Sequence, residues 1–155
     1  MMKAISLWQP WASLWVTPGA KLHETRSWST NYRGLLAVHA AKMVVARDTL
    51  DPGMFDEMVL ALGLDVSKPV EDYQALPRGM IVGVVNLVAC HPTTRVIPTD
   101  RDRLFGNWEP GRYCWRHSGA PIPLPRPIPC RGHQGFWMLD PETERQVREA
   151  AGLNP

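Results

Sequence analysis

The stretch Lys3-Ala4-Ile5-Ser6-Leu7-Trp8-Gln9-Pro10-Trp11-Ala12-Ser13-Leu14-Trp15-Val16 changes its period in the middle. Up to Trp8 it alternates and is β-prone. From Gln9-Pro10 onward, Trp11, Leu14 and Trp15 share one helical face, and Pro10 suits a first helical turn. A strand therefore runs straight into a short helix. Further along, Pro18-Gly19 marks a turn, and residues 21–28 and 35–40 read as two strands joined as a hairpin through the turn-rich segment 29–34. Asp51-Pro52-Gly53 opens a helix through Leu62 that Gly63 closes. Residues 79–91, with Val82, Val84 and Val85, form a buried strand. Residues 92–110 read as loop, and 111–116 as a short strand.

Pro occupies every second position from Pro121 to Pro129. Such a segment cannot donate ladder hydrogen bonds and belongs at a sheet edge; the same spacing would also suit a polyproline ligand on an interaction adaptor. A last strand spans 135–139, and Asp140-Pro141 caps a C-terminal helix over about 141–151. The class is α+β, with a small mixed barrel-like sheet and flanking helices. The 155 residues suffice for one domain over 1–155, carrying a helical acidic insert at about 43–72.

Composition excludes several classes. Hydrophobic residues make up 45% and charged residues 21%, which is globular. The longest apolar run, 79–90, is too short to span a bilayer, and the N-terminus lacks a signal-type cleavage site. Cys90, Cys114 and Cys130 are odd in number and widely spaced, which suits a reducing cytoplasm and neither a disulfide framework nor a zinc site. Phosphate-loop, Rossmann and serine-hydrolase motifs are absent, so no cofactor and no metal is expected. Charge is segregated. Residues 1–47 hold six basic residues against Glu24 alone, residues 48–72 hold seven acids against Lys68, and 73–140 hold eight Arg against four acids. Outside the acidic insert the chain is basic and Arg-rich, which suits phosphates and base edges.

The densest polar cluster is Lys21-Leu22-His23-Glu24-Thr25-Arg26-Ser27-Trp28. Strict alternation separates Lys21, His23 and Thr25 from Glu24 and Arg26; a turn or bulge near Lys21 would let Lys21 and Glu24 converge. Lys, Glu and Arg in one cleft suit amide chemistry, with a carboxylate to activate water, a tuned amine and a guanidinium to hold substrate; a solvated strand face is the plainer alternative. Trp11 or Trp28 would offer a stacking face for a base, with Gln9 or Gln134 to read its edge. Arg33 and Arg112 would meet phosphates, and His39 would act as a ligand-binding group or a base. Gly132-His133-Gln134-Gly135 would expose backbone amides.

Taken together, Ser6-Leu7-Trp8-Gln9-Pro10-Trp11-Ala12, the G-x-K-x-x-E-x-R run Gly19 to Arg26, Arg33-Gly34-Leu35-Leu36-Ala37-Val38-His39-Ala40, Leu76-Pro77-Arg78-Gly79, Gly111-Arg112-Tyr113 and the 132–137 stretch resemble the ASCH family of the PUA-like superfamily. The resemblance implies a small β-barrel with flanking helices and a cleft that binds RNA or modified nucleotides. Small bacterial members look like amidohydrolases that deacylate the exocyclic N4 of cytidine with a Lys, a Thr nucleophile and a Glu. Lys21 matches that Lys, but Glu24 stands at the Thr position and Thr25 one residue later. By resemblance, then, Lys21 and Glu24 would activate water on an N4-acylcytidine, with Thr25 as the shifted alternative nucleophile. The second expectation is a non-catalytic RNA-binding PUA-like module.

Overall fold

The apolar run after Gly79 becomes the longest strand of the fold. The computed structural model describes residues 1–154. Its strands are β1 (Lys3–Gln9), β2 (His23–Arg26), β3 (Gly34–Val44), β4 (Met80–Pro92), β5 (Tyr113–His117), β6 (Ile122–Pro129) and β7 (Phe136–Met138). Its helices are α1 (Trp11–Val16), α2 (Pro52–Leu62), α3 (Pro69–Gln74), α4 (Asp100–Leu104) and α5 (Pro141–Ala150). All seven strands form one sheet in the order β2-β5-β4-β3-β1-β7, with β6 branching from β4.

That branch follows from the length of β4. One of its edges pairs with β3, while the other serves β6 through Met80–Val84 and β5 through Leu87–Pro92. The strand path ends at β2 and β7 without closing, so the barrel is incomplete. β1 lies parallel to β3, with Ser6 opposite His39, and antiparallel to β7. The proline-rich segment is indeed a strand held along one edge only, by β4.

Three apolar clusters hold the layers. Ile5, Leu7, Leu36, Val38 and Trp115 pack with Trp15 and Val16 of α1. Leu14 and Ala20 meet Met54, Phe55 and Met58 of α2 and Tyr73 of α3. On the other side, Met2, Ala37, Ile81 and Leu139 meet Val147 of α5. The acidic segment thus forms an outer helical layer, with Asp48, Asp51, Asp56, Asp65 and Glu71 exposed. Asp51 caps α2 through the amides of Gly53 and Met54, and Gly63 ends it in the left-handed conformation at φ 66°.

Three local expectations fail. The two strands at 21–28 and 35–40 do not form a hairpin: β2 pairs with β5, and β3 with β1 and β4. Leu36 to Ala40 are buried without a break, so β3 needs the sheet interior, whereas the short polar β2 takes its end. The 92–110 segment is not all loop, because the Thr99 hydroxyl accepts from the Asp102 amide and starts α4. Pro10 caps α1 rather than entering its first turn, and the Gln9 side chain supplies an acceptor to the Ser13 amide at 3.1 Å.

Candidate functional site

The convergence of Lys21 and Glu24 is produced from a distance. Just before β2 the chain bends at Leu22, and Asp102 of α4 holds the bend. Its carboxylate accepts from the Leu22 amide at 2.8 Å, the His23 amide at 3.4 Å and His23 Nδ1 at 2.7 Å. Burial would raise the Asp102 carboxyl, but the bonds from His23 and the Leu22 amide outweigh it and hold it below its ordinary value. His117 Nε2 donates to the Lys21 carbonyl at 2.9 Å, and Trp15 Nε1 donates to the Leu22 carbonyl at 3.2 Å. So anchored, Lys21 turns back over the start of β2. Its Nζ lies 2.9 Å from Glu24 Oε2, with the side chains 0% and 8% exposed.

Glu24 lines a cleft of about 1360 Å³. Trp8, Trp11 and Trp28 supply indoles to its walls, and Arg26, Lys42 and Arg131 supply cations. Lys21 does not line this cleft; it borders a separate hollow of about 410 Å³ with Asp102 and His117. Arg26 lies over the Trp28 ring at 5.9 Å from its centroid. Trp28 is braced edge-on against Trp115 and Phe136 at 4.6 Å and 5.3 Å. The floor holds a second polar pair. His39 Nε2 donates to the Cys130 carbonyl at 2.7 Å, which leaves Nδ1 to accept from the Ser6 hydroxyl at 3.0 Å. Burial pushes the His39 imidazole below its ordinary value; the Cys130 bond opposes this and the nearby His133 adds to it. Among the described residues no three His, Cys, Asp or Glu side chains converge to hold a metal ion, and no helix is long and apolar enough to cross a membrane.

Of the anticipated site residues, Glu24, Trp11, Arg26, Trp28, His39 and Gln134 line the cleft, and Lys21 stands behind Glu24. Four others do not line it. Gln9 is fully buried and spends its amide on Ser13 and the Pro77 carbonyl, so it reads no base edge. Thr25 does not line this cleft; its hydroxyl accepts from the Asn107 amide at 2.9 Å, and it borders an adjoining pocket of about 300 Å³ that Trp11 and Glu24 also line. Arg112 lines that same pocket, not the cleft, and donates to the Thr25 and Asn107 carbonyls. Arg33 is exposed outside the cleft and folds onto the Thr30 and Tyr32 carbonyls. Sequence reasoning missed Ser6, Trp8, Lys42, Arg131 and Asp102. Alternation along β1 carried the signal for Ser6 and Trp8, which share a face, and Trp8 is 52% exposed.

An open mixed sheet, flanked by helices and bearing a basic cleft walled by indoles, defines a small α+β domain of the PUA-like kind. The ASCH domain profile matches residues 5–119, and the chain belongs to the ASCH domain family. Among solved structures it is similar to ASCH from Zymomonas mobilis, at 14% identity over 98% of this chain and 96% of that one, with a TM-score of 0.51. A point-mutant form of the same protein aligns at 13% identity over 96% of both chains, with a TM-score of 0.49. This likeness is one of fold. No curated protein sequence matches the chain.

Proposed function

We propose that the protein is a metal-independent amidohydrolase that removes the acyl group from an N-acylated nucleobase or nucleoside, N4-acylcytidine being the simplest substrate. The buried Lys21–Glu24 contact at the wall of an indole-lined cleft carries this reading. Glu24 takes a proton from water as the water oxygen bonds to the acyl carbon. Collapse of the tetrahedral intermediate breaks the C–N bond, and Glu24 returns the proton to the departing exocyclic amine. Lys21 has no exposed side-chain surface, so its role is to position Glu24 through their 2.9 Å contact. Trp11 and Trp28 flank the base, Gln134 reads its edge, and Arg26 meets a phosphate or the developing oxyanion. His39 serves the floor of the substrate site. Thr25 acts as a support of β2 rather than as the nucleophile, since its hydroxyl is engaged by the Asn107 amide and it does not line the main cleft. The three free cysteines fit a cytoplasmic setting.

Incubation of the purified protein with N4-acetylcytidine should release cytidine, and Glu24→Gln should slow this by about a hundredfold or more. No cytidine from the unaltered protein would end this reading. One observation favours a second: the cleft, at about 1360 Å³, exceeds the roughly 300–1,000 Å³ usual for a small ligand. A non-catalytic RNA-binding module would bind single-stranded oligonucleotides there with marked salt dependence and release no cytidine.

A further inference from the structure

We propose that Ser6 and His39 form a second reactive pair in the cleft, in which Ser6 Oγ accepts acyl groups from ester or amide donors and His39 Nδ1 is its general base. The parallel register of β1 and β3 places the two residues directly opposite each other, and both line the cleft. Their separation, 3.0 Å from Oγ to Nδ1, is within hydrogen-bond reach. The Cys130 carbonyl holds the ring as an acid residue does in a triad. It engages Nε2–H at 2.7 Å, fixes the tautomer, and aims the Nδ1 lone pair at the serine hydroxyl. Burial favours the neutral imidazole, the form that has a free lone pair on Nδ1.

The backbone above the pair is shaped to it. A Cβ at Gly132 would lie 2.7 Å from Ser6 Oγ and 2.5 Å from His39 Cε1, so only a residue without a side chain passes there. A plain cross-strand tie is the competing account. β1 and β3 are already laddered by their backbones, however, and such a tie does not require the hydroxyl to border a cleft.

In the reaction Ser6 Oγ–H gives its proton to His39 Nδ1 as Oγ bonds to the acyl carbon, and the carbonyl π pair moves to oxygen. Return of that pair breaks the bond to the leaving group. An amine departs with the proton from Nδ1; a phenolate departs as the anion and the proton goes to solvent. Water then attacks the Ser6 ester with His39 again accepting a proton, the carboxylic acid leaves, and Oγ recovers its hydrogen.

The test uses the unaltered protein and p-nitrophenyl acetate, with peptide mapping by mass spectrometry. The expected result is one acetyl group on Ser6 and a burst of p-nitrophenol stoichiometric with protein. His39→Gln should slow Ser6 acetylation about a hundredfold, the usual scale of base assistance. Acetyl groups on lysines with Ser6 unmodified would overturn the proposal without recourse to any variant. So would Ser6 acetylation at an undiminished rate in a folded His39→Gln protein. Cytidine release from N4-acetylcytidine by the unaltered protein is read separately, so Ser6 acetylation without cytidine release, or the reverse, distinguishes this pair from the water route.

Discussion

Removing one charge from the Lys21–Glu24 pair should damage the fold as well as any activity. The Lys21 side chain is 0% exposed, and its ammonium has Glu24 as its hydrogen-bond partner at 2.9 Å. Glu24→Gln therefore leaves a buried cation without its counter-charge, and Lys21→Met leaves a carboxylate that is 8% exposed without its cation. Breaking such a pair from one side costs about 3–5 kcal/mol, a large part of the roughly 5–15 kcal/mol that holds a domain folded. For a chain of this length that is a fall in Tm of about 6–20 °C, at about 2–4 °C per kcal/mol. The double variant Lys21→Met/Glu24→Gln strands neither charge, so its cost should be smaller than the sum of the singles, and smaller than either if Met fills the lysine's space. Urea titration at pH 7, followed by tryptophan fluorescence, measures all four corners of the cycle. Single variants that lose less than about 1 kcal/mol would show a solvated pair of the surface kind and refute the burial argument. An additive double variant would refute the coupling.

Gly132→Ala should cost about 1–3 kcal/mol by overpacking against Ser6 and His39 and should abolish Ser6 acylation; unchanged stability in denaturant titration would contradict the close approach. Trp115, fully buried, should cost about 3–5 kcal/mol on substitution by Ala. Trp8→Ala, at a residue 52% exposed on the cleft, should cost much less stability while weakening nucleotide or oligonucleotide affinity by about 1–3 kcal/mol, read by fluorescence titration. Acid should destabilise the fold through His39 and His117. Burial lowers both imidazoles, so the unfolded chain binds protons more readily, and the stability they confer is full above about pH 6.5 and falls as pH drops through the folded values. His117 adds a local reason, since its Nδ1 accepts from the Gly119 amide and cannot do so once protonated. Denaturant midpoints between pH 5 and 8 should flatten in His117→Gln if this is right.

What could be read from the sequence divides along the range of the interactions. The β4 run, the Asp51-to-Gly63 helix and the Asp140-capped helix declare themselves because propensity, caps and periodicity lie within each segment. β2 finds β5 across the chain, with His23 opposite Arg116, and no local signal specifies that register. The same holds for Lys21 and Glu24. Their residue types are legible in the sequence, but the bend that lets them meet is set by Asp102 from α4, a helix of five residues that is too short to show a period. Thr25, Arg112 and Gln9 show the converse. Each is a plausible chemical group by type, yet each is turned away or saturated by partners that only the folded chain supplies. For Gln9 the i to i+4 spacing to Ser13 offered a local clue.

The place of β1 between β3 and β7 has a consequence for synthesis on the ribosome. Of the seven strands β1 leaves the ribosome before the others and can pair with β3 as soon as residues 34–44 follow, but its other edge waits for Phe136–Met138. At about 5–20 residues per second, that edge stays uncovered for roughly 6–26 s of translation. Throughout this interval Ala4 and Ile5 sit on an unpaired strand edge of the kind that templates association with another chain. The last strand, three residues long, thus closes the earliest one, and nascent chains stalled before residue 136 should be the species most prone to aggregate.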